Sequence, residues 1–140
     1  MTICTDGKQK ILCDLVGRGA LPPPLINLTP IGRVVEKHIL RTGDIYPSVT
    51  IDKYVIMPNH VHLIIVIRAP DGGVRAPRPT YLPSVVRSIK AMVTREVGHS
   101  VWQASFYDHI IRSRPDYLRI WQYIDENPAR WACLLYTSDA

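Results

Sequence analysis

YVIMPNHVHLIIVI, residues 54–67, holds two apolar runs on either side of a Pro58-Asn59 break, with histidines at 60 and 62. Residues 61–67 are apolar on both faces, the pattern of a fully buried strand. Residues 49–56 alternate, with Val49 and Ile51 and then Tyr54, Val55 and Ile56, so the two runs are expected to pair as an antiparallel hairpin. Side chains alternate along a strand, which puts His60 and His62 on one face, roughly 7 Å apart along the backbone. Two imidazoles buried side by side need compensation. A divalent metal supplies it, because both rings can converge on one ion. Hydrogen bonds to backbone or water also supply it, and His-x-His spacing alone does not choose between the two.

Upstream, residues 2–5 (TICT) read as the end of a strand before the Asp6-Gly7 turn, and residues 10–16 as a second strand or extended piece. Residues 17–28, with Pro22, Pro23 and Pro24, read as loop. Thr29 caps a helix with Pro30 at its first position. Ile31, Val34, Val35 and Ile39 form its apolar stripe, His38 either joins that stripe or stands on the helix surface rather than serving as a ligand, and Gly43 ends it.

Downstream, residues 68–82 form a Pro- and Gly-rich loop carrying Arg68, Arg75 and Arg78. A helix runs from Pro83 to Val97, with Val85, Val86, Ile89, Met92, Val93 and Val97 as its buried stripe and Arg87 and Lys90 on another side. These cations are either solvated charges or nucleic-acid contacts; the second reading puts them around the histidine pair. Residues 106–111 (FYDHII) are another strand candidate, in which His109 supports the sheet or contacts backbone.

The 140 residues are one domain's length, 46% hydrophobic and 21% charged, as in an ordinary globular protein. The net charge is +5 and the pI about 9.3. That balance favours an anionic partner, nucleic acid before membrane, though a mildly basic protein needs none. Cys4, Cys13 and Cys133 share no metal-ligand spacing and are read as reduced thiols of a cytoplasmic protein. No apolar stretch is long enough to span a bilayer, and no signal peptide follows Met1.

Ser113 begins a last helix, with Asp116 three residues on, running to about Trp131. At about 100° per residue, Tyr117, Ile120, Trp121, Ile124 and Trp131 fill its core arc. Tyr123 and Asn127, four apart, stack at the edge of that arc. An active-site helix has this appearance; so does a boundary tyrosine beside a solvated amide.

The order of strand, helix, MPNHVHLIIVI hairpin, basic helix, FYDHIIRS and DYLRIWQYIDENPARW resembles the REP-associated tyrosine transposases. These are relatives of the single-tyrosine insertion-sequence transposases within the His-hydrophobic-His (HUH) endonuclease superfamily. The resemblance covers residues 2–132 and rests on MPNHVH at 57–62 combined with YIDENP at 123–128. It implies a ferredoxin-like α+β fold, an antiparallel sheet with helices on one face. It makes His60 and His62 metal ligands, Asn127 the third ligand and Tyr123 the nucleophile. The implied substrate is single-stranded DNA, a hairpin or palindromic repeat, cut and rejoined through a 5′-phosphotyrosyl intermediate by a monomer or homodimer. The residues suit that chemistry. A phenol with a pKa of about 10 is a poor nucleophile and needs an activated, in-line electrophile. Mg²⁺ or Mn²⁺ is the expected ion; two imidazoles tilt the preference to Mn²⁺ and cellular abundance to Mg²⁺.

Two other readings stand beside this one. The first is a domesticated, non-catalytic module that grips DNA hairpins. The second is a His-x-His nucleotide hydrolase or phosphodiesterase, which would need a third alternating histidine where Ile64 stands, or a second His-x-Thr/Ser repeat. Tyr107 and Tyr117 compete with Tyr123 for the nucleophile's role, and Asn59 reads as a turn residue. Family members begin with a longer first strand, so an N-terminal truncation is expected. Residues 133–140 (CLLYTSDA) do not continue the family pattern and match the translation of a sequencing-library transposon adapter. The expected division is therefore a domain over 1–132 and a non-native tail in which Cys133 and Tyr136 carry no function.

Overall fold

The hairpin forms as its alternation requires. Strands β4 (Val49–Ile56) and β5 (His60–Ile67) pair antiparallel, from Ile56 opposite Val61 to Val49 opposite Ile67. The computed structural model describes residues 1–16, 25–68 and 81–138. β1 (Thr2–Cys4) pairs antiparallel with the other edge of β5, so the order is β1-β5-β4 and the histidine strand is central.

A central strand apolar on both sides needs cover on both sides. Val61 and Leu63 join Ile3 and Ile56 on one face, under Val35 and Ile39 of α1 (Pro30–Leu40) and Val85, Val86, Ile89 and Val93 of α3 (Tyr81–Val97). Ile64 projects to the opposite face with Val55 and Met57, and packs on Ile124 of α4 (Arg114–Ser138). The fold class is the expected α+β with an antiparallel sheet. One detail differs, in that the helices are divided between the faces. α4 occupies the second face because Val55 and Ile64 would otherwise stand in water.

Other boundaries shift for local reasons. β3 (Leu25–Leu28) lies where a loop was expected and pairs with β2 (Cys13–Val16) in a small second sheet. The proline run drew that loop too far. The FYDHII segment makes a single bridge, Tyr107 to Thr2, and Trp102 another to Thr5, rather than a strand. α1 ends at Leu40 and a short α2 (Thr42–Ile45) absorbs Gly43. α4 runs through Pro128 to Ser138, beyond the expected end near Trp131, since nothing after Trp131 breaks a helix. His38 joins the buried stripe rather than the surface. It is 6% exposed, with Nε2 3.2 Å from Glu96 Oε1 of α3. Cys4 and Cys13 are free thiols, and burial pushes Cys13 up to about 12, too high for reactivity at neutral pH.

Thr29 caps α1 as expected, its Oγ1 accepting from the Gly32 N–H at 3.0 Å. The helix start is pinned to the chain before β2, because the Leu12 carbonyl accepts from the Thr29 N–H at 3.1 Å. That contact leaves no room at Gly32, where a Cβ would fall 1.9 Å from the Leu12 oxygen. Gly32→Ala is expected to destabilise the protein by about 3 kcal/mol, because backbone rather than a flexible side chain must move. Urea unfolding measures it, and a loss below about 0.5 kcal/mol would show that the helix start shifts freely.

Candidate active site

His60 and His62 project from β5 to the face that α4 covers. Their ring centroids are 4.6 Å apart, with planes at 71°. Each has a neighbour at Nδ1: Asn59 Oδ1 lies 2.7 Å from that of His60, and Thr2 Oγ1 lies 2.9 Å from that of His62. Asn59 is thus more than a turn residue. Thr2 reaches His62 because β1 pairs with β5 in a register that sets the two opposite each other. Burial lowers both imidazoles' pKa values, that of His62 to about 3, with repulsion from His60 and the N-terminal amine adding to the fall. A hydrogen bond between the His60 ring and the Asn127 side chain, which favours the charged imidazole, opposes the fall at His60. Both rings are therefore uncharged at neutral pH, and each keeps one lone-pair nitrogen.

Tyr123, Asn127 and Trp131 follow at intervals of four, so α4 lines them up along one side. Asn127 is 7% exposed and bonded to His60; Tyr123 is 44% exposed, its ring centroid 5.5 Å from that of His62. Trp131 lies 5.9 Å from His60. The result is a row of rings, Tyr123–His62–His60–Trp131. The helix that carries its ends is fixed by a bulge in β4, where the register slips between Ile51 and Lys53. The bulged residue, Asp52, accepts a hydrogen bond from the Tyr117 hydroxyl. Lys53 Nζ reaches Asp125 Oδ1 at 2.8 Å and sits 4.0 Å above the Trp121 ring. Trp121 is thereby a rim residue rather than the core residue that helical periodicity suggests.

Tyr117 bonds Asp52, and Tyr107 is exposed, its backbone bridged to Thr2 at the edge of β1. His109 is also exposed and pairs with Asp116 at 2.8 Å, not with the sheet.

Of the basic residues singled out in the sequence, the three described, Arg68, Arg87 and Lys90, do not gather around the histidines. Arg68 follows β5 at its far end, its N–H bonded to the Ser48 carbonyl at 2.8 Å. Arg87 and Lys90 lie on α3, across the sheet, lining a groove of about 550 Å³ with Arg95, Trp102 and Phe106. Lys90 Nζ donates to the Gln103 and Ser105 carbonyls at 2.8 and 3.0 Å, so it ties down a loop. Arg75 and Arg78 lie outside the described residues. The cations found at the ring row are Arg130 and Lys10. Arg130 stands 5.4 Å from the Tyr123 ring, braced by Glu126 at 3.1 Å, and Lys10 stands 5.9 Å from the Trp131 ring. Arg130 was detectable, since it falls near the Tyr123–Asn127 line of the helix; Lys10 gave no signal.

Among the described residues, no group of three or more His, Cys, Asp or Glu side chains is placed to hold a metal. The donors that converge here are two neutral imidazoles and a buried amide. They suit a cation that is held loosely and keeps open positions, not a closed structural site.

A two-histidine strand facing a tyrosine-bearing helix on one face of an antiparallel sheet is the arrangement that the resemblance to the REP-associated tyrosine transposases implies. The comparisons agree. The chain is 34% identical, over 94% of its length and 79% of the other's, to an uncharacterised protein of Haemophilus influenzae. It belongs to one family with that protein, and it is a relative of the REP-associated tyrosine transposases. The REP-associated tyrosine transposase of Escherichia coli K12 is 30% identical over 64% of this chain, which spans half of that protein's length. A solved structure of a REP-associated tyrosine transposase bound to a REP hairpin superposes with a TM-score of 0.66, at 23% identity, over 92% of this chain and 64% of that one. No family model matches. Among the described residues, no helix is long and apolar enough to cross a membrane.

Proposed function

We propose that this chain cleaves and rejoins single-stranded DNA at a hairpin, using Tyr123 as nucleophile. The observation that carries the reading is the meeting of Tyr123 with His62, and of Asn127 with His60, on one face of the sheet. The hairpin substrate is drawn from the solved relative, which is bound to one.

His60, His62 and Asn127 are the residues that would hold a divalent cation, Mg²⁺ or Mn²⁺. When bound, such an ion supplies Lewis-acid polarisation of a phosphate. Every other part is the chain's own. Asn59 and Thr2 each engage one nitrogen of an imidazole, at Nδ1 of His60 and of His62, and so help to hold the ring planes. Lys53 and Asp52 hold α4 so that the Tyr123 hydroxyl, on an exposed ring, meets a strand arriving from solvent. Attack forms a bond from Tyr123 Oη to phosphorus and breaks the bond from phosphorus to the 3′ oxygen. The phenolic proton ends on that oxygen. The products are a 5′-phosphotyrosyl link and a free 3′-hydroxyl, and reversal rejoins the strand without ATP.

Incubating the protein with a labelled single-stranded hairpin oligonucleotide and Mn²⁺ tests this. A labelled protein band that survives denaturation is expected, with far less from duplex DNA. A hairpin that is bound without any adduct would instead identify a non-catalytic hairpin-binding module.

A further inference from the structure

Trp131 has a larger ring than its packing uses. It touches the small core cluster of Val55, Met57, Ile64 and Ile124 but remains half-buried, at the end of the row next to His60. Lys10, exposed and carried on the segment before β2, holds its ammonium over that ring, 5.9 Å from the centroid. A flat aromatic surface under an ammonium on a long, flexible stem suits one nucleotide of a single strand, the stem swinging aside to the phosphate as the base arrives. The base stacks on the ring and the phosphate meets the charge, with no demand on which base it is. The position also suits the chemistry, since Trp131 continues the line of Tyr123 and Asn127 and so adjoins the point where a phosphate would be attacked.

We infer that Trp131 and Lys10 form a seat for the nucleotide adjoining the cleaved phosphate of single-stranded DNA. This rests on the function proposed above. The seat sets where along the strand cleavage falls, because it fixes one base at a constant distance from Tyr123. It also replaces the cationic surface sought on α3 with two residues on the tyrosine's side of the sheet.

The test pairs protein variants with altered DNA. Hairpin oligonucleotides each lacking one base are bound to the wild-type protein and to Trp131→Ala and Trp131→Phe. With wild type, loss of the base at one position next to the cleavage point is expected to weaken binding roughly tenfold. With Trp131→Ala that same loss should cost nothing further, whereas Trp131→Phe should restore most of the dependence. Lys10→Ala, an exposed change that leaves folding intact, should remove the penalty of an uncharged methylphosphonate at the matching phosphate. A purely structural Trp131 would weaken all oligonucleotides alike, and additive effects of base and side chain would overturn the seat. If the wild-type protein forms adducts yet shows no base-dependent position, the seat fails and the proposed chemistry stands. If it neither binds nor cuts single strands, both fall.

Discussion

Tyr123→Phe is expected to bind hairpin DNA as the wild-type protein does and to form no covalent adduct. The ring keeps its place beside His62 and Arg130, so packing is untouched. An exposed hydroxyl contributes little to folding, and the change in stability should stay within about 0.5 kcal/mol. Removing a nucleophile costs on the order of a millionfold in rate, so the labelled band should vanish rather than fade. Tyr117→Phe and Tyr107→Phe provide the contrast. The first loses the bond to Asp52 that helps hold α4, and should slow adduct formation without stopping it. Should the adduct persist in Tyr123→Phe and disappear in one of the others, the nucleophile has been misassigned.

His60→Ala and His62→Ala carry the second large effect. Each removes one lone-pair nitrogen from a set of three donors, and polarisation of the phosphate is worth about three orders of magnitude in rate. Both variants should therefore lose adduct formation, and EDTA should do the same to wild type. A readout independent of activity is the melting temperature. Mn²⁺ should raise that of the wild-type protein and leave both variants unmoved, because an ion bound only by the folded site stabilises only that site. Equal stabilisation of the variants by Mn²⁺ would place the ion elsewhere and remove the histidines' assigned role. Neither variant threatens the larger core cluster, which is built from Val61, Leu63 and their neighbours on the opposite face.

The strand that carries the histidines was legible because its signal is local. Alternation alone sets His60 and His62 on one face, and a run apolar on both faces marks a central strand. The line of Tyr123 and Asn127 was legible for the same reason, at helical spacing. What could not be read were contacts set by pairing between distant segments. Thr2 meets His62 only through the β1–β5 register, and Lys10 meets Trp131 only once α4 has docked. Periodicity counted Trp121 as core because it ignores a bulge one layer away that brings Lys53 over its ring. The burial of His38 was not legible because a polar residue next to an apolar stripe looks exposed until the second helix supplies Glu96. Arg87 and Lys90 could not be placed because charge composition gives no address; the sheet stands between α3 and the histidines.

The division of the helices between the two faces has a consequence for how the protein comes into being. α1, α3 and the hairpin share the larger core, while α4 is attached through the smaller cluster and the bulge. It is also synthesised after every other described element. A nascent chain can thus complete most of its hydrophobic core while its histidines face solvent with no tyrosine opposite them. Tyr123 meets His62 only when the last helix closes over the sheet, so on the proposed chemistry an unfinished copy has no means of cutting DNA.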